Sequence, residues 1–513
     1  LTAPDISPET IEAYAATVVA CVQQRRSTWT RWNLLAEAAR QTRVLRLAKS
    51  DDRIALLERI ADQAQTQSIL LAAPELITVP ERLRRRDGTS IFTVHNAQRY
   101  TSTVILGAEA VLLDHAHTRT GPRTSADLAT AVARGPALSR DQIEAVRRVA
   151  ASGQVVEALI GPAGTGKTTI LAAVRHTWEA AFGHGSVIGI APSAAAAEVL
   201  GDKLGIETEN IAKWIHESLG AGAQERADWL TTCQKTVRKS IRLADDAARR
   251  RWLESLRTVD AEARHWTLHP GQLLIVDESS LASTTQLAAL TRQAARAGAK
   301  LLLVGDDAQL SAVESGGAFR LVARDTNAAT LSTVWRFHHD WERTASLQLR
   351  HGNTEAITTY ADNHRIHSGT DKTMRDQAYA AWRADHRRGL RSMMIAANND
   401  TVADLNTRAR LDRIATGQVE PAGVTLHDGT HAGRGDRIIT RLNQRRLTTN
   451  RGRYVRNGNQ WTITRRHRDG SLTAQSDTGD TITLPPRYVA TAVQLGYATT
   501  AHRAQGVTVD TAH

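Results

Sequence analysis

At 513 residues, with 41% hydrophobic side chains and a formal net charge of +12, the chain is too long for one core and ordinary in its apolar content, so about three or four domains are expected. No apolar stretch approaches the roughly 18–20 residues that cross a bilayer, and no signal peptide is recognisable, so no membrane segment is expected. Cys21 and Cys233 are the only cysteines and stand too far apart to signal a zinc site or a disulfide framework, which makes a reducing cytoplasm the expected compartment. The basic balance suits an anionic polymer, or reflects an Arg- and Ala-rich genome composition. A start at Leu1 and an abrupt stop at His513 lead us to expect a piece of something longer.

Residues 1–124 read as a mainly helical N-terminal domain. Ile54–Ile60 has helical spacing, Ile91–Val94 suggests a short strand, and Ser102–His115 reads as a helix carrying Ile105, Leu106, Val111, Leu112 and Leu113. His115 and His117 have the His-x-His spacing of metal ligands, but they end a helical pattern and no third ligand is evident. Tyr14 likewise sits on a helix-like stretch. The Gly/Pro-containing stretch Thr118–Thr124 marks a boundary.

From 125 to 327 short apolar runs alternate with helical patterns: Val155–Ile160, Val187–Ala191, Leu273–Val276 and Leu301–Val304. Such runs fit buried parallel strands of an α/β sheet. Directly after the first run comes Gly161-Pro162-Ala163-Gly164-Thr165-Gly166-Lys167-Thr168, followed by Thr169 and a helical stretch. This is the G-x-x-x-x-G-K-[ST] phosphate-binding loop in its strand–loop–helix context. Its glycines let backbone N–H groups face a triphosphate, and the helix N-terminus adds positive potential. Lys167 reaches for the β- and γ-phosphates, and Thr168 for Mg²⁺. Asp277 and Glu278 close the run Leu273–Val276, where ligands bind in parallel sheets. Asp277 suits Mg²⁺, and Glu278 suits the base that deprotonates an attacking water. Gln309 follows the next strand, placed to contact the γ-phosphate. Between these motifs an insertion at about 220–262 is highly charged, with Trp229, Leu230, Trp252 and Leu256 spaced along it; it reads as helical, with a solvated face.

Residues 328–513 read as a second α/β unit, with Met393–Ala397 as a strand and Val402–Arg410 as a helix. At about 415–490 the turn signals Asp428-Gly429, Asn457-Gly458 and Asp469-Gly470 separate β-like runs, Arg437–Thr440, Gln460–Thr464 and Thr481–Leu484. A small antiparallel barrel inserted in the second unit is expected.

Further motifs sit around this frame in a fixed order. Leu138–Gln142, Ala191–Ala194 with Pro192 and Ser193, Thr208–His216 with Trp214, Gly305–Leu310, Leu331–Arg336 and Tyr497–Gly506 together resemble the motif series of a RecD-like superfamily 1 DNA helicase, of the subclass that moves 5′→3′. The resemblance implies two RecA-like P-loop domains, an SH3-like barrel in the second, and ATP with Mg²⁺ bound between the two RecA-like domains. It implies that Gln142 reads the adenine and that Arg336 is an arginine finger to the γ-phosphate. Gln505 and Gly506 would lie near nucleotide. Pro192, Ser193, Thr208, Trp214, His216, Thr500 and His502 would lie near single-stranded DNA, although Trp214 reads equally well as a core side chain. Pro80–Leu83, Thr93–Asn96, Tyr100–Ser102 and Leu113–Ala116 resemble the segment before the helicase in conjugative relaxase–helicases of the TraI/TrwC (MobF) type, which implies a relaxosome or coupling protein as a further partner. The family's relaxase domain is not recognisable here, and its last helicase motif, which supplies a second arginine, is not reached before His513. The alternatives are a free-standing RecD-like repair helicase and a non-catalytic module that binds or loads on single-stranded DNA.

Overall fold

The computed structural model describes residues 2–71, 79–85, 90–91, 98–127, 138–242, 245–309, 316–337, 339–504, 507 and 509–513. Of the sequence expectations, the strand over residues 92–94, the segment Thr93–Asn96, Leu310, Gln505 and Gly506 lie outside the described residues, as does the side chain of His502. The chain divides into two compact units, Leu1–Pro192 with Val199–Val334, and Ser193–Glu198 with Trp335–His513.

In the first unit, the helices Pro8–Arg25, Arg31–Gln41 and Ser50–Thr66 enclose a core of Val18, Trp29, Leu34, Leu56 and Ile60. Ser7 starts the first of them by accepting Thr10 N–H, with Pro8 in the first turn. Strand β1 (Ile69–Leu71) pairs antiparallel with β2 (Arg99–Thr101). The next helix, Thr103–His117, is capped by Ser102 Oγ at 3.2 Å from Ile105 N. It buries Ala108, Leu112 and Ala116 in a different core, that of the main sheet, so the stretch before residue 124 serves two cores.

Among the described residues the main sheet has β3 (Val156–Ile160), β4 (Val187–Ala191), β5 (Thr208–Asn210), β6 (Leu273–Val276), β7 (Lys300–Gly305) and β8 (Ala329–Thr330) in the order β5-β4-β6-β7-β3-β8. Every pairing is parallel. Alternate side chains enter opposite layers: Leu301 and Leu303 join one core with Leu274 and Val276, while Leu302 and Val304 join the other with Leu273 and Ile275. Both faces are therefore covered, which is why these strands read as unbroken apolar runs. Trp178, on the helix Lys167–Phe182, is fully buried in the second layer, and its indole donates to Gly271 O at 2.8 Å. The charged insertion is a pair of helices, Ala221–Arg242 and Asp246–His265, bridged by Trp229 and Trp252 with ring centroids 5.7 Å apart.

In the second unit, β9 (Ser392–Ala396) lies between two further parallel strands near the chain's end, and the helix Asn399–Ala415 packs against it. After the short pair β10 (Val424–Thr425) and β11 (His431–Ala432), the chain turns antiparallel through β12 (Arg437–Thr440), β13 (Gln444–Thr448), β14 (Tyr454–Val455), β15 (Gln460–Arg466), β16 (Leu472–Gln475), β17 (Thr481–Leu484) and β18 (Val493–Leu495). Five of these form one sheet, β17-β16-β15-β12-β18, while β13 and β14 make a hairpin. The chain then returns to the parallel sheet as β19 (Ala498–Thr500) and β20 (Thr511–Ala512), which flank β9. Among the described residues no helix is long and apolar enough to cross a membrane.

A buried polar network joins the antiparallel strands to the parallel sheet. Asp436, fully buried, accepts from Arg410 Nε at 2.9 Å, from Tyr497 OH at 2.7 Å and from Gly433 N at 2.8 Å. Asn406 Oδ1 accepts from the Tyr497 and Ala498 N–H groups, both at 2.9 Å. Removing one partner of a buried ion pair strands the other charge. Arg410→Ala is therefore expected to cost the second unit about 3 kcal/mol, read as a lower urea midpoint at unchanged slope. Tyr497→Phe removes two hydrogen bonds, the one to Asp436 and the one its hydroxyl accepts from Arg437 N at 3.2 Å, and should cost about 2 kcal/mol.

Candidate nucleotide site

The C-terminal ends of β3, β6 and β7 lie side by side, and each delivers one piece of the site. Gly161 continues β3 in register: its N–H donates to Gly305 O at 2.8 Å, beyond the pair Ile160 and Gly305. Gly164 (φ 84°) and Gly166 (φ 78°) then take left-handed backbone, which side-chain-bearing residues avoid. Thr165 is buried, and its hydroxyl donates to Pro162 O at 2.9 Å, closing the loop; Ala163 and Thr169 are exposed. The helix Lys167–Phe182 starts at Gly166, which aims the first N–H groups of the helix at the loop. Thr168 is half-buried in its first turn. Lys167 folds back over the loop and donates to Gly161 O at 2.8 Å. A Cβ on Gly161 would stand 2.5 Å from Lys167 Cγ, so a side chain there would expel the lysine stem.

β6 ends at Val276, and Asp277 N donates across to Ile190 O at 3.0 Å, which places the carboxyl at the end of the sheet. Burial pushes the Asp277 carboxyl above its ordinary range; Lys167, the Glu278 N–H and Lys203 pull the other way. Glu278 is also pushed up, first by burial and then by the Asp277 carboxylate, again against Lys167. Glu278 has φ 51°, a left-handed conformation costing roughly 1–2 kcal/mol for a residue with a side chain. The structure thus brings Lys167, Asp277 and Glu278 into one electrostatic cluster.

Three contributors escaped the sequence reading. Lys203, on the helix Ala194–Leu204, acts on Asp277 from outside any motif. Ser279, fully buried, donates to Val276 O at 2.7 Å and accepts from Val304 N at 3.2 Å, stitching the ends of β6 and β7 together. Asp141 precedes Gln142 and holds the segment after β8. Ser279 stands directly after Asp277-Glu278 and Asp141 lies inside the motif Leu138–Gln142, so both had a sequence signal; Lys203 had none.

The other expected site residues are distributed as follows. Gln142 is buried and already engaged: its Oε1 accepts from Ser139 N and its Nε2 donates to Thr165 O, both at 3.0 Å. Gln309 lies in the turn after β7, its N–H on Asp306 O at 3.3 Å; Arg320 Nε donates to Asp307 O at 2.7 Å in the same turn. Arg336 belongs to the second unit and is exposed. Pro192 and Ser193 follow β4, and Ser193 Oγ accepts from Ala196 N at 3.1 Å. Thr208 opens β5 and is half-buried. His216 is exposed, beside Glu217. Thr500 ends β19 opposite Ala396. Trp214 is 2% exposed, donates to Gln293 Oε1 at 3.0 Å and packs edge-on to Trp266 at 5.7 Å. Its ring faces are inside the core, so the stacking-platform reading of Trp214 is corrected to the core one. His117 pairs with Asp325 at 2.5 Å and His115 Nδ1 contacts Val111 O at 2.9 Å, and no metal-holding cluster exists among the described residues.

The donor set fits a magnesium triphosphate: a hydroxyl at Thr168, a carboxylate at Asp277 whose ionised form burial disfavours, and an ammonium at Lys167. Residues 137–371 match the family model described as an AAA domain. The conjugal transfer protein TraA of Agrobacterium fabrum is 28% identical over 465 residues, 88% of this chain and 37% of that protein. TraA of Rhizobium radiobacter is 29% identical over 380 residues, covering 73% of this chain and 30% of its own length. The probable conjugal transfer protein TraA of Sinorhizobium fredii is 30% identical over 390 residues, covering 75% and 30%. The chain spans about a third of the length of these relatives. An AAA-type P-loop domain within a chain similar to conjugal transfer proteins is the coarse identity these matches support.

The carboxylate pair yields a signed prediction. A raised folded-state pKa means that the neutral acid is favoured in the fold, so stability associated with Asp277 is present below the ordinary carboxylate range and lost as pH rises through the raised value. At pH 7.5 in EDTA, Asp277→Asn should therefore raise the melting temperature, by about 2 °C for ~1 kcal/mol in a unit of this size. The gain should vanish below about pH 4, and the variant should lose the stabilisation that Mg²⁺ with nucleotide gives the parent chain. Differential scanning fluorimetry across pH checks both.

Proposed function

We propose that this chain is the ATP-driven DNA-translocating part of a conjugative DNA-transfer protein, a RecD-like motor moving 5′→3′ on single-stranded DNA. The observation that carries the reading is the joint placement of the Gly161–Thr168 loop, Asp277 and Glu278 at one end of the sheet, after β3 and β6, with β7 between them. Similarity to conjugal transfer proteins over most of the chain supports transfer rather than repair. Residues 1–124 would form the N-terminal domain, 125–327 the first RecA-like domain, and 328–513 the second, with an SH3-like insertion at about 415–490.

In this mechanism the loop N–H groups and Lys167 bind and orient the β- and γ-phosphates of ATP. Thr168 and Asp277 would hold Mg²⁺, which supplies charge neutralisation at the phosphate oxygens. Glu278, with its pKa raised by burial and by Asp277, takes a proton from the attacking water. Gln309 senses the γ-phosphate, and Arg336 supplies positive charge to it. Gln142 reads the adenine, with Gln505 and Gly506 near the nucleotide. Ser193, Thr208, His216, Thr500 and His502 line the DNA path; basic residues there would make phosphate contacts. A relaxosome or coupling protein would be a further partner, in the cytoplasm.

DNA-stimulated phosphate release tests the reading. Lys167→Ala should lower turnover by about 10²–10³-fold and Glu278→Gln by about 10²–10⁴-fold, with nucleotide still bound by the latter. Turnover at the parental rate in either variant removes the site assignment. Retained DNA binding without any turnover in the parent chain would favour the non-catalytic module. Affinity for single-stranded DNA should fall with salt, with a log–log slope of about 0.7 per phosphate contact; fluorescence anisotropy between low and moderate salt measures it.

A further inference from the structure

The segment that leaves the first unit lies against the nucleotide loop. β8 pairs with the end of β3, Ile160 opposite Thr330, and Leu331 N donates to Ile160 O at 2.9 Å. Leu331 Cδ1 stands 3.3 Å from where a Cβ on Gly161 would be. Two consecutive side chains at the start of the helix Arg140–Ala151 then clasp both pieces. Gln142 holds the loop through Thr165 O. Asp141 holds the exit: its Oδ2 accepts from Ser332 N at 2.9 Å, Ser332 Oγ at 3.1 Å and Thr333 N at 3.3 Å. Its Oδ1 accepts from Gln142 N at 3.0 Å and from Ser139 Oγ. Burial opposes ionisation of Asp141, but the hydrogen bonds from Ser139, Ser332 and Thr333 outweigh it and lower the pKa to about 2.

An acidic residue in a first helical turn is satisfied by its own helix's N–H groups and dipole. The three bonds to Ser332 and Thr333 lie outside that role. They tie a helix start to a segment nearly two hundred positions later, three residues before Arg336. The Gln142 N–H on Asp141 Oδ1 makes the two clasps one unit, because turning the 141–142 peptide moves both side chains.

We propose that Asp141 is a positioning residue that fixes the exit segment Leu331–Val334 to the frame of the nucleotide loop, so that a shift of Gln142 off Thr165 on nucleotide binding reaches the point where the chain leaves the first unit. The proposal rests on the ATPase reading above. Gln142 is 4% exposed and already uses its amide oxygen on Ser139 N and its amide nitrogen on Thr165 O, so on the adenine-reading proposal above a purine that takes both amide atoms competes with these bonds at the helix start.

The test uses amide hydrogen exchange at Ser332 and Thr333 beside nucleotide affinity and turnover. In the parent chain, exchange at these two amides should change by about tenfold, a ~1.4 kcal/mol shift in local opening, when a non-hydrolysable ATP analogue binds. Asp141→Ala should leave both amides fast and indifferent to nucleotide, keep nucleotide Kd within about twofold, and lower kcat by about tenfold, the response to losing ~1.4 kcal/mol of positioning. Asp141→Asn, which retains one acceptor oxygen, should restore part of kcat. Ser332→Ala removes one bond, leaves the helix start intact and should give an intermediate exchange rate, so the tether is testable even if Asp141→Ala fails to fold. Exchange at Ser332 and Thr333 that ignores nucleotide in the parent chain, or wild-type kcat in Asp141→Ala, overturns the proposal. A parent chain that binds nucleotide but never hydrolyses it would sink the ATPase reading, while the exchange measurement would still decide the tether.

Discussion

The parallel pairing of Val156–Ile160 with Lys300–Gly305 is the constraint on which the site depends. Parallel strands end at one edge, and the register that sets Ile160 opposite Gly305 lets Gly161 make the next ladder bond. The loop can begin its curl only after that bond, so its first N–H is anchored to the sheet rather than to solvent. The same edge receives Asp277 through its bond to Ile190, one strand beyond β6. Close approach is possible because two of the pieces are glycines: a Cβ on Gly305 would meet Phe319 at 3.0 Å and the Ser280 N at 3.2 Å, and one on Gly161 would displace Lys167. The hydrophobic layers above and below these strands lower the local dielectric at their ends, which is what gives the few charges there their leverage.

Much of this was legible because its physics is local. The loop needs Gly164 and Gly166 for left-handed backbone, and that need is written in consecutive residues. The apolar runs announced β3, β4, β6 and β7 because strands covered on both faces show no polar alternation. The two-helix insertion and the antiparallel turns were legible for similar reasons, through charge spacing and Asp-Gly or Asn-Gly pairs. What could not be read was which distant side chains meet. Trp214 looks alike as a platform or a core residue until Trp266, more than fifty positions on, is seen to cover it. Asp141 looks like an ordinary first-turn acid until Ser332 and Thr333 arrive. Lys203 belongs to no motif, and its effect on Asp277 follows from the fold alone.

Among the described residues of the main sheet, two charge clusters sit on neighbouring strands, one buried and one half-buried, and they differ in what answers their charges. Glu157, 2% exposed, has Lys300 at 3.5 Å, Arg148 at 3.2 Å and the Ser152 hydroxyl. Lys300, also buried, donates to Ser152 Oγ at 2.7 Å; burial lowers its pKa to about 8 while Glu157 works to keep it charged. Arg148 continues to Thr326 O and Asn327 O. Each charge in that cluster is answered by another protein group, so it stabilises a chosen strand pairing and asks for nothing more.

Asp277 and Glu278 are balanced differently. Two carboxyl groups share a half-buried edge, both pushed toward the neutral form, and among the described residues the cation that acts on both is Lys167, whose ammonium is held on the Gly161 carbonyl. Glu278 adds backbone strain that a glycine at the same position would relieve. A fold selected only for stability would have no use for two adjacent acids in that position. The deficit is of positive charge, at the end of a loop built to present N–H groups to an anion. A magnesium triphosphate would supply both signs at once: the metal to Asp277, the phosphates to the loop and the lysine. On the proposed ATPase reading, the partner of this under-compensated cluster comes from outside the chain, which is the asymmetry between it and the cluster around Glu157.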